Sequence, residues 1–594
     1  MKLKVSVFEY LNQKVIYIQD VNYYFGIRGN FDIKLGNYEL SEEEVLNIAK
    51  ENDPEEYEVF ISTSIEERLN KMKTFDIEEI KEQSACGQFT LCLHPSRKCN
   101  LNCKYCFKES EYLGNEQLTF EAAKEAIDFL VDKYAPCASK YVIDLSGSGE
   151  PLLQLDLVKQ IVEYCKKKRN EICKNIEVMF CTNLTLLTPE IAEYLDNEPA
   201  IILGTSIDGD QITNDNNRVY VNGKGTYDDI VKGLKMFKNK KLGLAVTITP
   251  LNQDVDLIYD YLYHLPNVDC VSMSFIRCFD KSKYNVDNFD LEYLSNRYIL
   301  LCENILKELK QNNFDYLKKL INGADVFGNY IIQFIFKGFQ NIYKCDAGKN
   351  RIAINAKGDI FACSVMMGNK EFWIGNINTG IDLLSHKKFY NSPIFYHKKC
   401  KKCLFSFACG GECSASSYLI GNDLYTPIEQ LCKIKINMIK IGISFIQNVK
   451  NESKSSYDKL LKLFFKIQCY YKTDSGIWAT MCFLKMKKHK VEYCDLLNYI
   501  KQTSFGVEPY QILNYLKLYD ANIESYEIDQ NTSINDIRFP AICLNNKSKT
   551  NAFKYSLLIN AENNNFIFTN SDISILYSMP FNEFLDKISN IFIF

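Results

Sequence analysis

The 594-residue sequence lacks three features, and each absence excludes a class of protein. It has no apolar run near the roughly 18 residues that a membrane-spanning helix needs. It has no polybasic block, and its net charge of −4 argues against nucleic acid or an anionic membrane as the main partner. It also lacks a recognisable signal peptide, because the short apolar stretch after Lys4 is broken by Glu9. We therefore expect a cytoplasmic protein with neither a membrane nor a nucleic-acid partner.

Cysteine, by contrast, is abundant, with 23 residues in a chain without a visible export signal. Cytosolic thiols stay reduced, so closely spaced cysteines indicate metal or cluster ligation rather than disulfides. Scattered cysteines such as Cys165, Cys270 and Cys302 are explained as small buried hydrophobic residues. The regular spacings described below need a different explanation.

The length predicts several domains, since domains usually span about 100–200 residues. Strand and helix patterns alternate across residues 87–310, which predicts an α/β fold with a parallel sheet, open or curled into a partial (β/α)6 barrel. The six strand candidates are Phe89–His94, Tyr141–Leu145, Ile176–Thr182, Ile201–Ile207, Leu242–Thr249 and Asp269–Ile276. Ligands in such folds bind at the carboxyl ends of the strands.

Further segments flank this region. Residues 1–86 are predicted to form an N-terminal α+β module, and residues 311–344 a helical bridge. Residues 345–440 are rich in cysteine and glycine, as expected for a small cluster-binding domain. The polar stretch Asn451–Asp458 predicts a linker, and residues 459–594 a last α+β unit.

Three closely spaced cysteines, Cys99, Cys103 and Cys106, follow the first predicted strand. Thiolates at this spacing in a short loop can ligate three irons of a cubane 4Fe–4S cluster and leave the fourth iron without a protein ligand. A structural zinc site is the weaker alternative, because its tetrahedral geometry needs four ligands.

The segment from Cys99 to Phe107 closely resembles the signature of the radical S-adenosylmethionine (radical SAM) superfamily. The resemblance covers about residues 87–310. It implies that the open iron binds the amino and carboxylate groups of S-adenosylmethionine (AdoMet). One electron from the cluster then yields a 5′-deoxyadenosyl radical, which abstracts hydrogen from the substrate.

The same resemblance implies a set of cofactor-binding residues near the ends of successive strands. The loop Gly147–Pro151 is similar to the family's Gly-Gly-Glu-Pro loop, whose glycines let the backbone approach the cofactor. Glu150 would accept from the methionine ammonium, Ser206 would contact the ribose and Arg218 would pair with the carboxylate. The complete set is Phe107, Gly147, Gly149, Glu150, Thr182, Asn183, Ser206, Asp208 and Arg218.

Seven more cysteines have the spacing of the SPASM domain, which carries two auxiliary 4Fe–4S clusters. A zinc ribbon would explain only four of them. The family pattern implies one set of three ligands for the first auxiliary cluster, and a set of four for the second. The first set is Cys345, Cys363 and Cys413; the second set is Cys400, Cys403, Cys409 and Cys432. Either a distant cysteine completes the first set, or one iron is open to substrate.

An open iron can bind a peptide thiolate, lower the pKa of that thiol and hold it for carbon–sulfur bond formation. Some thioether-forming peptide maturases of this family resemble such an arrangement. Anaerobic sulfatase maturases share the SPASM domain, but their catalytic aspartate directly follows the cysteine that matches Cys363. This chain has Ser364 at that position, which argues against sulfatase maturation.

The N-terminal module contains a predicted hairpin from Val5 to Ile18 and a capping box at Ser41. It loosely resembles the N-terminal region of maturases for cysteine-rich ribosomal peptides. That resemblance implies leader-peptide binding by strand addition at an exposed sheet edge. A structural cap on the barrel is the alternative.

The last unit resembles the peptidase domain of bacteriocin-exporting transporters, which cuts double-glycine leaders. The likeness rests on the order of Gln468, Asp474-Ser475-Gly476 and a predicted strand Phe553–Ile559. Ser475 stands where the nucleophilic cysteine belongs, and the strand has no histidine, so no activated nucleophile remains. We expect a degenerate papain-like α+β domain that binds a leader without cutting it, or a purely structural domain.

These observations predict a maturase that uses AdoMet and three 4Fe–4S clusters to modify a ribosomally synthesised precursor peptide with a leader. A thioether crosslink at peptide cysteines is the first expectation, with an electron donor such as flavodoxin or ferredoxin. The alternatives are carbon–carbon crosslinking, epimerisation, anaerobic sulfatase maturation and a non-catalytic leader-binding protein. The intact triad and the Glu150 loop argue against the last of these. The sequence does not indicate further catalytic residues.

Overall fold

Two structural units divide the chain in its computed structural model. The first comprises residues 1–58, 89–130 and 141–461, and the second comprises residues 59–88, 131–140 and 462–594. The residues that the structure describes are 2–27, 32–54, 57, 88–106, 117–135, 138, 140–172, 175–277, 283–323, 325–335, 345–390, 394, 397–468, 480, 483–484, 487, 509–520, 522–527, 541–545, 555–562, 565–570, 573–580 and 588–593. Within them, no helix combines the length and apolar character needed to cross a membrane.

The N-terminal residues form a four-stranded antiparallel sheet with one helix. Its elements are β1 (Lys2–Tyr10), β2 (Gln13–Ile18), β3 (Tyr23–Ile27), β4 (Gly36–Ser41) and α1 (Glu42–Asn52), with strand order β3-β2-β1-β4. Leu11 and Asn12 both have positive φ, as a tight two-residue hairpin requires. Ser41 accepts from the Glu44 backbone, and the Glu44 carboxylate accepts from Ser41 N at 2.7 Å. The predicted hairpin and capping box are both present.

Six neighbouring strands of a ten-stranded sheet correspond to the six predicted strands. They are β5 (Gln88–Cys92), β6 (Lys140–Asp144), β7 (Asn175–Thr182), β8 (Ile201–Ser206), β9 (Leu242–Ile248) and β10 (Val268–Phe275). They lie side by side in chain order, and β7 to β10 pair in parallel. The predicted α/β fold with a parallel sheet is confirmed, and each observed strand ends within two residues of its predicted end.

Amphipathic helices connect these strands. They are α2 (Phe120–Asp128), α3 (Leu155–Ile172), α4 (Pro189–Asn197), α5 (Gln211–Asn217), α6 (Tyr227–Leu234) and α7 (Val255–Tyr263). Side chains of Thr119 and Thr188 cap α2 and α4 by accepting from backbone N–H groups. In α3 the apolar face containing Val158, Ile161 and Val162 is fully buried.

Three helices follow β10. They are α8 (Leu291–Lys310), α9 (Asp315–Asn322) and α10 (Val326–Ile335), and the last two occupy the predicted helical bridge. Asp325, 1% exposed, fixes the start of α10 because its carboxylate accepts from the backbone N–H groups of Met273, Phe327 and Gly328. The same contact ties α10 to β10.

The cysteine-rich region continues the ten-stranded sheet. β11 (Arg351–Ile354) pairs in parallel with β5, and β12 (Asp359–Phe361), β13 (Trp373–Asn376) and β14 (Gly380–Ile381) follow as antiparallel neighbours. Short helices complete the region, namely α11 (Leu383–Tyr390), α12 (Ser406–Cys409) and α13 (Ser414–Gly421). The sequence predicted little regular structure here, so this extension of the sheet was not anticipated.

Two helices then run through the predicted linker. α14 (Glu429–Glu452) and α15 (Lys454–Gln468) are interrupted only at Ser453, so residues 451–458 are mostly helical and do not form a loop. The first unit ends at Leu461, shortly after this segment. α14 packs against β1, β2, α8 and α10. Its apolar residues occur on more than one face, which indicates burial on several sides. The helix thereby holds the N-terminal sheet against the rest of the first unit.

The second unit contains one described helix of eight residues, α16 (Pro509–Leu516), and an antiparallel sheet. The strands are β15 (Ser525–Glu527), β16 (Ala541–Asn545), β17 (Tyr555–Glu562), β18 (Asn565–Asn570), β19 (Ile573–Pro580) and β20 (Ile588–Ile593), in the order β15-β20-β16-β17-β18-β19. β17 overlaps the predicted strand Phe553–Ile559. Asp474, Ser475 and Gly476 lie outside the described residues.

Candidate active site and cluster-binding residues

The loop with Cys99, Cys103 and Cys106 follows β5 at the carboxyl edge of the parallel sheet. Backbone hydrogen bonds hold this loop against residues 217–219, from Asn102 N to Val219 O at 2.7 Å and from Lys104 N to Asn217 O at 2.9 Å. None of the three cysteines forms a disulfide; Cys99 and Cys103 are half-buried and Cys106 is exposed. Phe107, predicted to pack near the adenine, lies outside the described residues.

These thiols fit a cubane cluster better than a single ion. In the part of the chain that the structure describes, no three His, Cys, Asp or Glu side chains converge on a point that suits one metal ion. A cubane does not require such convergence, because each thiolate ligates a different iron. Three accessible thiols on one short loop therefore suit a 4Fe–4S cluster that keeps one iron open.

The glycine-rich loop after β6 presses against the segment that leads to Cys99. Gly147 and Gly149 have φ of 117° and 70°, in the region that favours glycine. A Cβ on Gly149 would lie 2.3 Å from Ser96 O and 2.6 Å from Lys98 O, so no larger residue fits. Ser148 Oγ is buried with no hydrogen-bond partner in the described part of the chain, and it is therefore available to a ligand.

Glu150 joins this loop to the end of β7. Its carboxylate accepts from Thr182 Oγ1 at 2.6 Å, Asn183 N at 2.9 Å and Leu152 N at 3.1 Å. Burial raises the pKa of Glu150, and these hydrogen bonds partly oppose the shift. The Asn183 side chain continues the connection to Cys99 Sγ at 3.9 Å. Glu150, Thr182 and Asn183 are thus brought together beside the triad, and their contact with the cofactor stays a prediction.

Arg218 and Asp208 are connected through a residue that sequence reasoning missed. Arg218 Nη1 donates to Tyr105 Oη at 2.6 Å, and Tyr105 Oη donates to Asp208 Oδ2 at 2.7 Å. Asp208 also accepts from Thr247 N at 3.0 Å. Burial raises the pKa of Tyr105 well above its usual value, so the hydroxyl stays protonated. The only hint in the sequence was the position of Tyr105 between two cysteines.

Arg218 suits an anionic ligand group such as the AdoMet carboxylate. Its side chain is buried, and its Nε has no hydrogen-bond partner among the residues described. Ser206, which ends β8, lies 3.3 Å from Cys181 Sγ through its hydroxyl. The Nε of Arg218 can donate to a cofactor carboxylate, and the Oγ of Ser148 can accept from a cofactor ammonium group.

The three thiols of the first auxiliary set are electrostatic neighbours. Burial, followed by the nearby Cys413 and Cys363, raises the pKa of Cys345 to about 11. Burial and Cys413 likewise raise the pKa of Cys363. Arg277 lies next to all three, and its pKa is raised mainly by Cys413. Iron binding to these thiols would require the loss of their protons.

The second auxiliary set forms a separate cluster of thiols. Burial, then Cys409 and Cys403, raises the pKa of Cys400 to about 11. Burial raises the pKa of Cys432 to about 12, with smaller contributions from Cys409 and Cys400. The structure therefore groups the cysteines as the sequence divided them. Their ligation of two clusters stays a prediction.

His94 is a second residue that the sequence did not indicate. It is 6% exposed, and neither ring nitrogen has a partner in the described residues. Burial, then the charge of Arg97, lowers the pKa of His94 to about 4, so the ring is neutral at physiological pH. The ring borders a cavity of about 30 Å³ and lies 2.8 Å from the position that a Cβ on Gly147 would take. The glycine-rich loop can approach His94 because Gly147 has no side chain.

Comparison with known proteins agrees with this geometry. Residues 93–256 match the sequence profile of the Radical SAM superfamily. The radical SAM cyclopropyl synthase TigE of Paramaledivibacter caminithermalis is 27% identical over 60% of this chain and 72% of TigE. A serine-type anaerobic sulfatase-maturating enzyme of Bacteroides thetaiotaomicron is 25% identical over 56% of this chain and 84% of that enzyme.

A solved structure shares the fold. Histidine-tagged anSMEcpe with bound AdoMet aligns over 63% of this chain and 98% of its own, with a TM-score of 0.51 and 17% sequence identity. The sequence match over residues 93–256 covers the cysteine loop and the unpaired polar groups beside it. It also covers most of the parallel sheet. Residues 93–256 are therefore a Radical SAM domain.

Proposed function

We propose that this enzyme modifies a ribosomally synthesised precursor peptide and forms a thioether crosslink at peptide cysteines. The observation that carries the proposal is the set of Cys345, Cys363 and Cys413, which has no fourth cysteine among the described residues. Burial, with a smaller contribution from Cys363, raises the pKa of Cys92, whose thiol is fully buried in β5 and lies 3.9 Å from Asp144 Oδ2. An iron without a protein ligand can take a substrate thiolate.

The residues around the triad support the hydrogen-abstraction part of the proposal. Bound AdoMet supplies the radical that removes a hydrogen atom from the substrate. Glu150 and Arg218 would hold its ammonium and carboxylate groups, and Tyr105 keeps Arg218 in place through its hydroxyl. Gly147 and Gly149 let the backbone reach the cofactor without a side chain in the way.

The two ends of the chain support peptide recognition. The N-terminal sheet has β4 at one edge, where an extended leader can add as a further strand. The second unit would hold the leader without cutting it, because Ser475 replaces the nucleophile. We further propose that the reaction takes place in the cytoplasm and that flavodoxin or ferredoxin supplies the electrons.

Two alternative reactions are each supported by a similarity to a known enzyme. The similarity to TigE favours carbon–carbon bond formation as the first alternative. The similarity to a sulfatase-maturating enzyme favours protein maturation as the second. Against the second alternative, Ser364 provides a hydroxyl where maturases have a carboxylate, and a serine hydroxyl is a much weaker base.

The test is an anaerobic reaction of the full chain with a cysteine-containing precursor that carries a double-glycine leader. We expect a product about 2 Da lighter than the precursor per crosslink, since a C–H and an S–H hydrogen are lost, with protection of one cysteine from alkylation. A product of that mass with all cysteines still alkylated would contradict thioether formation. A cysteine- or serine-containing sulfatase peptide serves as the competing substrate.

Cys278 allows the open-iron argument to be tested directly. It follows Arg277, which lies beside the first set, but Cys278 itself is outside the described residues. If the iron is open to substrate, the Cys278→Ala variant should retain its iron and its peptide modification. Loss of both would identify Cys278 as the distant fourth ligand and overturn the open-iron argument.

A further inference from the structure

A buried ion pair links the two auxiliary cysteine sets. Lys435 Nζ lies 2.7 Å from Glu412 Oε2, and the two side chains are 6% and 4% exposed. Glu412 directly precedes Cys413 of the first set. Lys435 lies one turn of α14 beyond Cys432 of the second set, and therefore on the same helix face.

Glu412 is held rigidly in this position. Its Oε1 accepts from Cys413 N at 2.7 Å, while its Oε2 faces Lys435. The preceding Gly410 and Gly411 have φ of 73° and 98°, so the turn between Cys409 and Cys413 depends on glycine. The backbone thus aims the carboxylate of Glu412 at the helix that carries Cys432.

Stability does not account for this pair. Burying two charges costs free energy, and apolar replacements of a buried pair are often neutral or stabilising. Lys435 Nζ has three N–H donors, and Glu412 Oε2 is the one acceptor found for them among the described residues. Donors therefore remain for acceptors that the protein itself does not supply. Sulfur atoms of a cluster at Cys400, Cys403, Cys409 and Cys432 would be such acceptors.

We propose that Lys435 and Glu412 are positioning residues that set the reduction potentials of the auxiliary clusters, Lys435 raising the potential of the second cluster and Glu412 opposing it. The inference rests on the three-cluster proposal. Reduction adds one electron to a cluster and changes no covalent bond. A fixed positive charge nearby stabilises the reduced form, a negative charge destabilises it, and both effects are strong where water is excluded.

The test is a potentiometric titration followed by electron paramagnetic resonance. The full-length Cys99→Ala/Cys103→Ala/Cys106→Ala variant is used as background, so that only auxiliary clusters contribute to the spectrum. In this background, Lys435→Met should shift the second cluster to a more negative midpoint potential. Glu412→Gln, which keeps the acceptor for Cys413 N, should shift it to a more positive one. Lys435→Arg keeps the charge and should remain near the parent value.

Lys433→Met is the matched control. Lys433 lies on the same helix, but its side chain is 53% exposed and paired with Glu429, so solvent screens its charge. Lys433→Met makes the same change in net charge and should leave the midpoint potential of the second cluster unaltered.

Full iron content with no opposite shifts in the Lys435 and Glu412 variants overturns the inference. If Lys435→Met loses iron, the Glu412→Gln variant provides the test: a more positive midpoint potential supports the inference, and any other result overturns it. A background variant that holds no iron would instead overturn the three-cluster proposal, and this inference with it.

Discussion

Arg218 reaches the cluster loop through the hydroxyl of Tyr105, which lies 2.6 Å from Arg218 Nη1 and 2.7 Å from Asp208 Oδ2. Tyr105 stands between Cys103 and Cys106, so one side chain connects the cysteine loop to the ends of β8 and α5. The orientation of Arg218 therefore depends on the same loop that carries the three cysteines.

The Tyr105→Phe change should reveal this dependence. It removes the hydrogen bonds to Arg218 and Asp208 and keeps the ring, so the buried Asp208 loses a donor at a cost of about 1–3 kcal/mol of stability. We expect AdoMet affinity, measured by equilibrium dialysis, to fall about tenfold, or about 1.4 kcal/mol. Tyr293→Phe is the control, because Tyr293 is 43% exposed and bonds Asp254 far along the chain. Unchanged AdoMet affinity in Tyr105→Phe would contradict the role of this chain of hydrogen bonds.

Gly149→Ala should displace the glycine-rich loop. A Cβ would meet two backbone oxygens, Ser96 O and Lys98 O, which cannot move aside as a side chain can. Gly223→Ala is a matched control, since Gly223 has φ of 82° but no atom within 4 Å of its added Cβ. Both variants carry backbone strain, and only Gly149→Ala adds the clash. We expect a lower melting temperature and weaker AdoMet binding for Gly149→Ala than for Gly223→Ala; equal effects would show that strain alone matters.

Iron content tests the assignment of the cysteines. Three 4Fe–4S clusters correspond to about twelve irons per chain after anaerobic reconstitution, at four per cubane. Replacing Cys99, Cys103 and Cys106 together by Ala should remove about four of them and abolish formation of 5′-deoxyadenosine. The scattered Cys165 is fully buried, and a Cys165→Ala variant should keep its iron. An unchanged iron count in the triple variant would contradict the triad assignment.

The role of residues 469–594 can be tested by truncation after Gln468, where α15 ends. The cluster cysteines and the glycine-rich loop all precede this point, so AdoMet cleavage without peptide should persist. Modification of full-length precursor should fall, because the leader loses a binding surface. If the truncated enzyme modifies the precursor as well as the parent does, residues 469–594 are not needed to bind the leader. The N-terminal module then becomes the remaining leader site.

The parts of the fold that were predictable depend on local sequence patterns. β5 to β10 each carry the apolar patterning of a sheet strand and alternate with helical stretches. The cysteine triad could be recognised from the sequence because its three residues lie in one short loop. No contact between distant parts of the chain is needed to bring them together. β11 was not predictable, since its partner β5 is far away along the chain and pairing over such separations leaves no local signal.

Tyr105 and His94 were missed for a related reason. Their importance comes from what surrounds them, a buried arginine and aspartate in one case and a neighbouring arginine in the other. The helical structure of residues 451–458 was not predicted, because their polar composition suggested a loop. Polar residues also form exposed helix ends, and here α14 and α15 meet at Ser453.

The pairing of β11 with β5 has a mechanical consequence. Arg351, Ile352 and Ala353 lie beside Thr90, Leu91 and Cys92 in one parallel ladder, and the Arg351 side chain also pairs with Asp144 at the end of β6. β5 leads to the triad loop, and β11 leads through β12 to Cys363. Because β5 and β11 are paired, these two segments cannot slide independently. Any electron that passes between their clusters would cross a span of constant length, set by backbone hydrogen bonds rather than by the docking of two mobile bodies.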